Sequence, residues 1–147
     1  MQGASQELRE KLYLANVSHD AYTYLSCYDG SKSREDRIEF AATRECLHSV
    51  GIDDKVQEQI FSLLAGILHL GNVQFAEDTD GSVSDIAEEA REVYDRVCTL
   101  LGLNADTLFT VIAKRNIHVQ NSTIIKSQNI PQVIFSYFYF LMCIVGP

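Results

Sequence analysis

The run Gln59-Ile-Phe-Ser-Leu-Leu-Ala-Gly-Ile-Leu-His-Leu-Gly-Asn-Val73, continued by Gln74-Phe75, constrains the fold of this chain more than any other stretch. Val56, Ile60, Phe61, Leu63, Leu64, Ile67 and Leu68 spread apolar surface over more than half of a helical circumference, which predicts a helix buried on most sides. Asp53 or Asp54 is placed to cap its start and Gly71 to stop it. Residues 72–75 then alternate as a short strand would.

The flanks supply neighbours for such a helix. Residues 7–14, with Leu8 and Leu12 on one face, read as a helix end, and residues 19–25 follow as a compact aromatic segment. Ser33 with Asp36 resembles a capping box opening a helix to about Val50, its inner face Phe40, Thr43, Leu47 and Val50 and its stop Gly51. Residues 77–85 read as a solvated acidic loop. Ile86, Ala90, Val93, Val97, Leu100 and Leu101 recur at helical spacing up to Gly102. Asn104 is placed to cap another helix with Leu108, Val111 and Ile112 inward, and residues 117–119 and 123–125 flank 120–122 as a hairpin. The fold class is therefore mainly α with a few short β-strands.

A chain of 147 residues, 46% hydrophobic and 22% charged, is long enough to bury a core of about one domain. Its net charge of −8 opposes phosphate backbones and anionic membrane surfaces, so no nucleic-acid partner is expected. Cys27, Cys46, Cys98 and Cys143 form no Cys-x-x-Cys pair, and His19, His48, His69 and His118 do not cluster with them. No metal site is suggested, and buried, reduced structural thiols are expected. Glu7, Arg9, Glu10 and Lys11 interrupt any secretory signal, which points to a cytoplasmic setting.

Several short patterns occur in a consistent order: Tyr22-Thr-Tyr-Leu25, Phe40-Ala-Ala-Thr43, Val50-Gly-Ile52, Gln59-Ile-Phe61, His69-Leu70-Gly71-Asn72, and Leu100-Leu-Gly102 with Leu108 and Arg115. Over residues 3–127 this set resembles the myosin motor head, and the His-Leu-Gly-Asn signature within Ile-Leu-His-Leu-Gly-Asn is its most specific part.

The resemblance implies a partial P-loop NTPase-type motor head. Residues 1–132 would belong to the upper subdomain of the actin-binding cleft of an actin-based, ATP-driven motor, cytoskeleton-associated and leaning on the remainder of the myosin head. ATP and magnesium are the ligands of the parent family. Residues 77–85 and the hairpin of residues 115–126 lie where myosins reach toward actin, so Arg115, His118, Asn121 and Lys126 are the candidate actin contacts. Electrostatics favours the hairpin over the acidic loop. Arg115 can make paired hydrogen bonds to carboxylates and Lys126 offers a point charge, whereas an acidic loop repels an acidic filament. The plainer readings stand beside these. Arg115 and Lys114 are also ordinary solvated charges at a strand entrance. His69, with no nucleophile motif near it, reads as a brace for its helix end, and Tyr22 and Tyr24 as core aromatics.

The chemistry of a motor has no candidate residues. A phosphate loop ending Gly-Lys-Thr or Gly-Lys-Ser does not occur, and Gly30-Ser-Lys32 lacks its first glycine and spacing. Neither the asparagine- and serine-rich first switch nor an Asp-x-x-Gly-Phe-Glu second switch is present. The nucleotide-binding core is therefore absent from this chain, with no catalytic residue and no cofactor of its own expected. Residues 133–147 carry no charge and five aromatics, and are shorter than the roughly 20 residues that span a bilayer. They replace the charged helix into which myosins continue, so a frameshift or read-through, a gene-model artefact with Met1 as an internal methionine, is expected. Removing residues 133–147 is expected to improve soluble yield. The alternative to a motor fragment is a non-catalytic helical interaction module derived from a motor head.

Overall fold

The apolar run forms helix α3, Asp54–Leu70, opened by the Asp53 carboxylate, which accepts from the Val56 amide. The computed structural model describes every residue except 2, 16, 27–32, 120–121, 134–135 and 137–147, together with the side chains of 33, 34, 117–119 and 122. It divides into two compact units, Met1–Asn72 and Val73–Pro147. It is mainly helical, with two small two-stranded antiparallel sheets.

In the first unit, helix α1 (Gln6–Lys11) precedes two 3-10 turns, His19–Ala21 and Thr23–Leu25, and helix α2 (Ser33–Ser49) precedes α3. Helix α1 is shorter than residues 7–14 suggest. Leu12 is its C-cap, and Leu12 and Leu14 turn into the core beyond it. Tyr13 between them is held at φ 57°, a left-handed conformation that costs a non-glycine residue about 1–2 kcal/mol. Helices α2 and α3 meet through the Phe40 and Phe61 rings, 5.1 Å apart, and through Gln57. Fully buried, Gln57 donates to the Arg44 and Ile52 carbonyls and accepts from the Arg44 guanidinium, which also pairs with Asp54 at 2.7 Å.

Helix α3 is buried much as its sequence suggests, whereas α2 buries less. On α3 the buried residues are Gln57, Phe61, Ala65, Gly66, His69 and Leu70, while Val56 and Leu64 stay 42% and 45% exposed. At the helical spacing these six residues span more than half of the circumference, as the sequence suggests, with Leu64 on the exposed remainder. On α2, Phe40 and Leu47 are half-buried, Thr43 is exposed and Val50 is 75% exposed. Ser33 is the first helical residue of α2 rather than the one before it. Cys46 is exposed, against the expectation of buried thiols, whereas Cys98 in the second unit is buried; Cys27 and Cys143 lie outside the described residues.

In the second unit, strands β1 (Phe75–Glu77) and β2 (Val83–Ile86) pair antiparallel, with Phe75 opposite Ile86 and a bulge after Ala76. Residues 77–85 are thus not all loop. Val83 and Ile86 are buried, and this apolar pair pins β2 to the core despite the acidic residues around it. Strand formation also begins at Phe75 rather than Asn72, whose side chain is used elsewhere. Ile86 belongs to β2, so helix α4 (Arg91–Leu101) starts later than its periodicity indicates, after a 3-10 turn at Glu88–Ala90. Gly102 ends α4 at φ 65°, a conformation open to glycine without a Cβ clash. Asn104 caps helix α5 (Ala105–Ala113), which buries Leu108 and Ile112 but leaves Val111 53% exposed. The Tyr94 hydroxyl ties α4 to the start of α5 by donating to the Ala105 carbonyl at 2.6 Å, and burial pushes its titration upward. Strands β3 (Lys114–Val119) and β4 (Ser122–Ser127) form the hairpin, longer on both sides than the sequence indicates.

Candidate functional site

The His69-Leu70-Gly71-Asn72 signature sits at the C-terminal end of α3, where it fastens the segment between Leu12 and Leu25. His69 is 3% exposed; its Nε2 lies 3.2 Å from the Leu12 carbonyl, and its ring meets Tyr22 edge-on at 5.5 Å and Tyr13 at 6.5 Å. Leu70 is buried. Asn72 donates to the Ala21 carbonyl at 2.6 Å, while its Oδ1 accepts from the Thr23 amide at 2.9 Å and hydroxyl at 3.0 Å. An asparagine is required for this double role, since aspartate lacks the donor.

Gly71 ends the helix for a reason the sequence does not show. Its φ of −61° and ψ of −15° are ordinary helical values, open to any residue. A Cβ there, however, would lie 2.6–2.7 Å from carbons of the Tyr24 ring, so the glycine admits an aromatic face against the backbone. Tyr22 is buried as a core aromatic should be, whereas Tyr24 is 51% exposed and burial of the rest raises its titration. The signature is thus a clasp built of polar and aromatic contacts.

The hairpin is the other region that the sequence singled out. Its register sets Arg115 directly opposite Lys126, with Lys114 opposite Ser127 and His118 opposite Thr123. Like charges facing each other across a rung destabilise a ladder rather than support it. Arg115 and Lys126 are exposed and neither makes an ion pair among the described residues, in contrast to Arg44, Arg91 and Arg96. Ile124 and Ile125, on opposite faces, are 53% and 63% exposed. The side chain of His118 and the whole of Asn121 lie outside the described residues.

Gln128, absent from the sequence-based candidates, anchors the hairpin base. Its amide donates to the Ala113 carbonyl at 2.8 Å, its carbonyl accepts from the Val83 amide at 2.8 Å, and its side chain donates to the Ile112 carbonyl at 3.2 Å and accepts from Ser136 at 3.1 Å. Next to it, Asn129 and Gln132 exchange hydrogen bonds between side chain and backbone amide, a capping box that opens the helical residues 130–133. Val133 is fully buried there, so a truncation that removes it would open the core; one that begins after Ser136 keeps both contacts.

Among the described residues no group of three His, Cys, Asp or Glu could hold a metal, and no single helix is long and apolar enough to cross a membrane.

A family model described as myosin head (motor domain) matches residues 1–138. The chain belongs to the myosin head family. It is similar to Myosin-1 of Arabidopsis thaliana, 37% identical over 136 residues that cover 90% of this chain and 11% of the plant protein. It is also similar to Myosin-2B of Naumovozyma castellii, 31% identical over 91% of this chain and 9% of the yeast protein. With Myosin IA heavy chain of Dictyostelium discoideum it shares 28% identity over 95% of its own length and 14% of the relative's. The chain therefore spans about a tenth of the length of these curated relatives, and corresponds to a fragment of a myosin motor domain.

Proposed function

We propose that these residues form part of the upper wall of the actin-binding cleft of a cytoplasmic, cytoskeletal myosin, and that the β3–β4 hairpin is their contact with the actin filament. The observation that carries this reading is the Arg115–Lys126 rung: two exposed cations face each other at a cost to the ladder, with no carboxylate of this acidic chain paired to either among the described residues. Such a rung favours an acidic partner through paired hydrogen bonds from Arg115 and the point charge of Lys126, while exposed Ile124 and Ile125 add apolar area beside them. Co-sedimentation of the 147-residue chain with actin filaments tests the proposal. The double reversal Arg115→Glu/Lys126→Glu is expected to weaken binding at least about tenfold, as loss of charge complementarity at a contact does. Binding that survives the reversal unchanged would move the contact elsewhere.

The same reading assigns ATP chemistry to other parts of the motor. Among the described helix starts the N-termini that a phosphate would need are occupied: Ser5 caps α1, the Asp53 carboxylate caps α3 and Asn104 caps α5, while α4 follows Glu88 and Glu89; the residues that precede α2 lie outside the described ones. A carboxylate at a helix start repels the nucleotide that the dipole would otherwise attract. The described residues do not fit ATP and magnesium, and the purified chain is expected to hydrolyse no ATP. Turnover above that of a mock purification would refute this.

A further inference from the structure

The two hairpins of the second unit are joined at their bases. Ser82 bridges to Asn129, and the Val83 amide donates to the Gln128 carbonyl. This junction sets the turn at residues 77–82 beside the base of the β3–β4 hairpin, where the Lys114–Ser127 and Arg115–Lys126 rungs lie. Glu77, Asp78 and Asp80 are exposed on that turn, and Lys114, Arg115 and Lys126 are exposed on those rungs.

Opposite charges so placed would ordinarily collapse into salt bridges, yet none of the six makes an ion pair among the described residues. For Asp80 the reason is local. Its Oδ1 accepts from the Ser82 amide at 2.9 Å and the Ser82 hydroxyl at 2.6 Å, in a turn that Gly81 completes at φ 77°. The carboxylate is fixed in place and cannot swing out to neutralise a neighbour. It acts on the rung as a field.

We propose that the acidic turn is a built-in electrostatic screen that weakens the hairpin's hold on an acidic partner and sets the salt dependence of that contact. The inference rests on the reading of the hairpin as the partner contact, and concerns its regulation. The turn lowers the positive potential of the Arg115–Lys126 rung and presents like charge to the incoming surface. The Asp80 titration is depressed first by the Ser82 hydroxyl and amide, with Lys126 contributing through space, which is consistent with carboxylate and ammonium sensing each other. A turn that instead touched the partner directly would have the opposite sign, since removing its charge would then remove contacts.

The test uses the whole chain and the variant Asp78→Asn/Asp80→Asn, in which the carboxamide oxygen introduced at position 80 keeps an acceptor for Ser82. Two acidic probes are compared, actin filaments and poly-L-glutamate, at about 0.01 M and about 1 M salt, where the Debye length is about 30 Å and about 3 Å. Removing two charges from the turn beside the rung should tighten binding about two- to fourfold at low salt, and the gain should vanish at high salt. A gain on poly-L-glutamate with no binding to actin by either protein would leave the screen standing and remove actin as the partner. An equal or weaker affinity of the variant at low salt overturns the proposal. A partner-free measurement decides the case in which neither probe binds: Lys126→Gln should raise the midpoint of the Asp80 titration followed by NMR, and an unchanged midpoint overturns the screen.

Discussion

At the end of α3, both polar atoms of the Asn72 side chain are bonded to backbone or hydroxyl groups, and His69 is packed against the Leu12 carbonyl between two tyrosines. On β3 and β4 the reverse holds. Arg115 and Lys126 face each other in solvent with no ion-pair partner among the described residues, and two isoleucines lie exposed. The clasp is arranged as structure arranges its polar groups, with the Asn72 side chain and the His69 Nε2 each set against a backbone or hydroxyl partner. The hairpin carries like charges at a position where the ladder itself would prefer opposite ones. The difference teaches that the most recognisable motif of a sequence can spend its polar groups on its own backbone, as the clasp does, while the rung leaves two cations without an ion pair among the described residues.

The largest effect expected from breaking this contrast is at His69. His69→Ala would remove a buried ring, leave a cavity between Tyr13 and Tyr22, and strip the buried Leu12 carbonyl of its partner. A loss of about 3 kcal/mol is expected from cavity and unmet hydrogen bond together. Urea denaturation should show it, and a loss below about 1 kcal/mol would mean that the clasp is not a principal support. Gly71→Ala comes next, at about 1–3 kcal/mol, because its methyl group meets the Tyr24 ring. Tyr24→Ala in the same chain should recover most of that loss, and a double-mutant cycle without coupling would show that the cost at Gly71 has another origin.

On the hairpin the expected signs for fold and partner part company. Arg115→Glu turns a like-charged rung into an opposite-charged one, so the fold should gain about 0.2–1 kcal/mol or stay level. Co-sedimentation with actin should fall at the same time. A variant that loses stability and binding together would make Arg115 a structural residue and erase the distinction between clasp and hairpin.

How far these regions were legible in the sequence follows from the range of the forces involved. Local rules served well where local forces decide. Asp53 and Asn104 cap the helices they precede, Gly102 takes the left-handed conformation, and the alternation around residues 117–125 marks a real hairpin. Apolar periodicity misled where burial depends on what lies opposite. Val50, Val56, Leu64 and Val111 match an inward pattern and are exposed, whereas Gln57, polar by composition, is fully buried because the Arg44 and Ile52 carbonyls both receive its side-chain amide. Gly71 and Asn72 were visible as a signature, but their reasons lie across tens of residues in Tyr24, Ala21 and Thr23. The acidic run hid β2, since Val83 and Ile86 are spaced like a helix turn and only the bulge after Ala76 lets both face the core. Gln128 carried no sequence signal at all, because its role depends on Ala113 and Val83 arriving beside it.

The smallest effect separates the two kinds of polar group by pH. Asp85 on β2 accepts from the Ile86 amide at 2.7 Å and from Arg91 at 2.8 Å, and these contacts, the amide first, hold its carboxyl below the ordinary value of 3.8. A carboxyl lowered in the folded state binds its proton more readily when unfolded, so its contribution is present above pH 3.8 and is lost as pH falls below that toward the folded value. Because the group lies in solvent, the loss should be a shallow decline and not a transition. Asp85→Asn should flatten the stability profile below that pH while leaving it unchanged near neutrality apart from the lost Arg91 pairing. Arg115→Gln, whose guanidinium has no ion-paired carboxylate among the described residues, should move the same acid limb less than Asp85→Asn does, through the field it exerts on the acidic turn alone. If both variants flattened it alike, the hairpin cation would have a hidden acidic partner within the fold, and its availability to an outside surface would have to be abandoned.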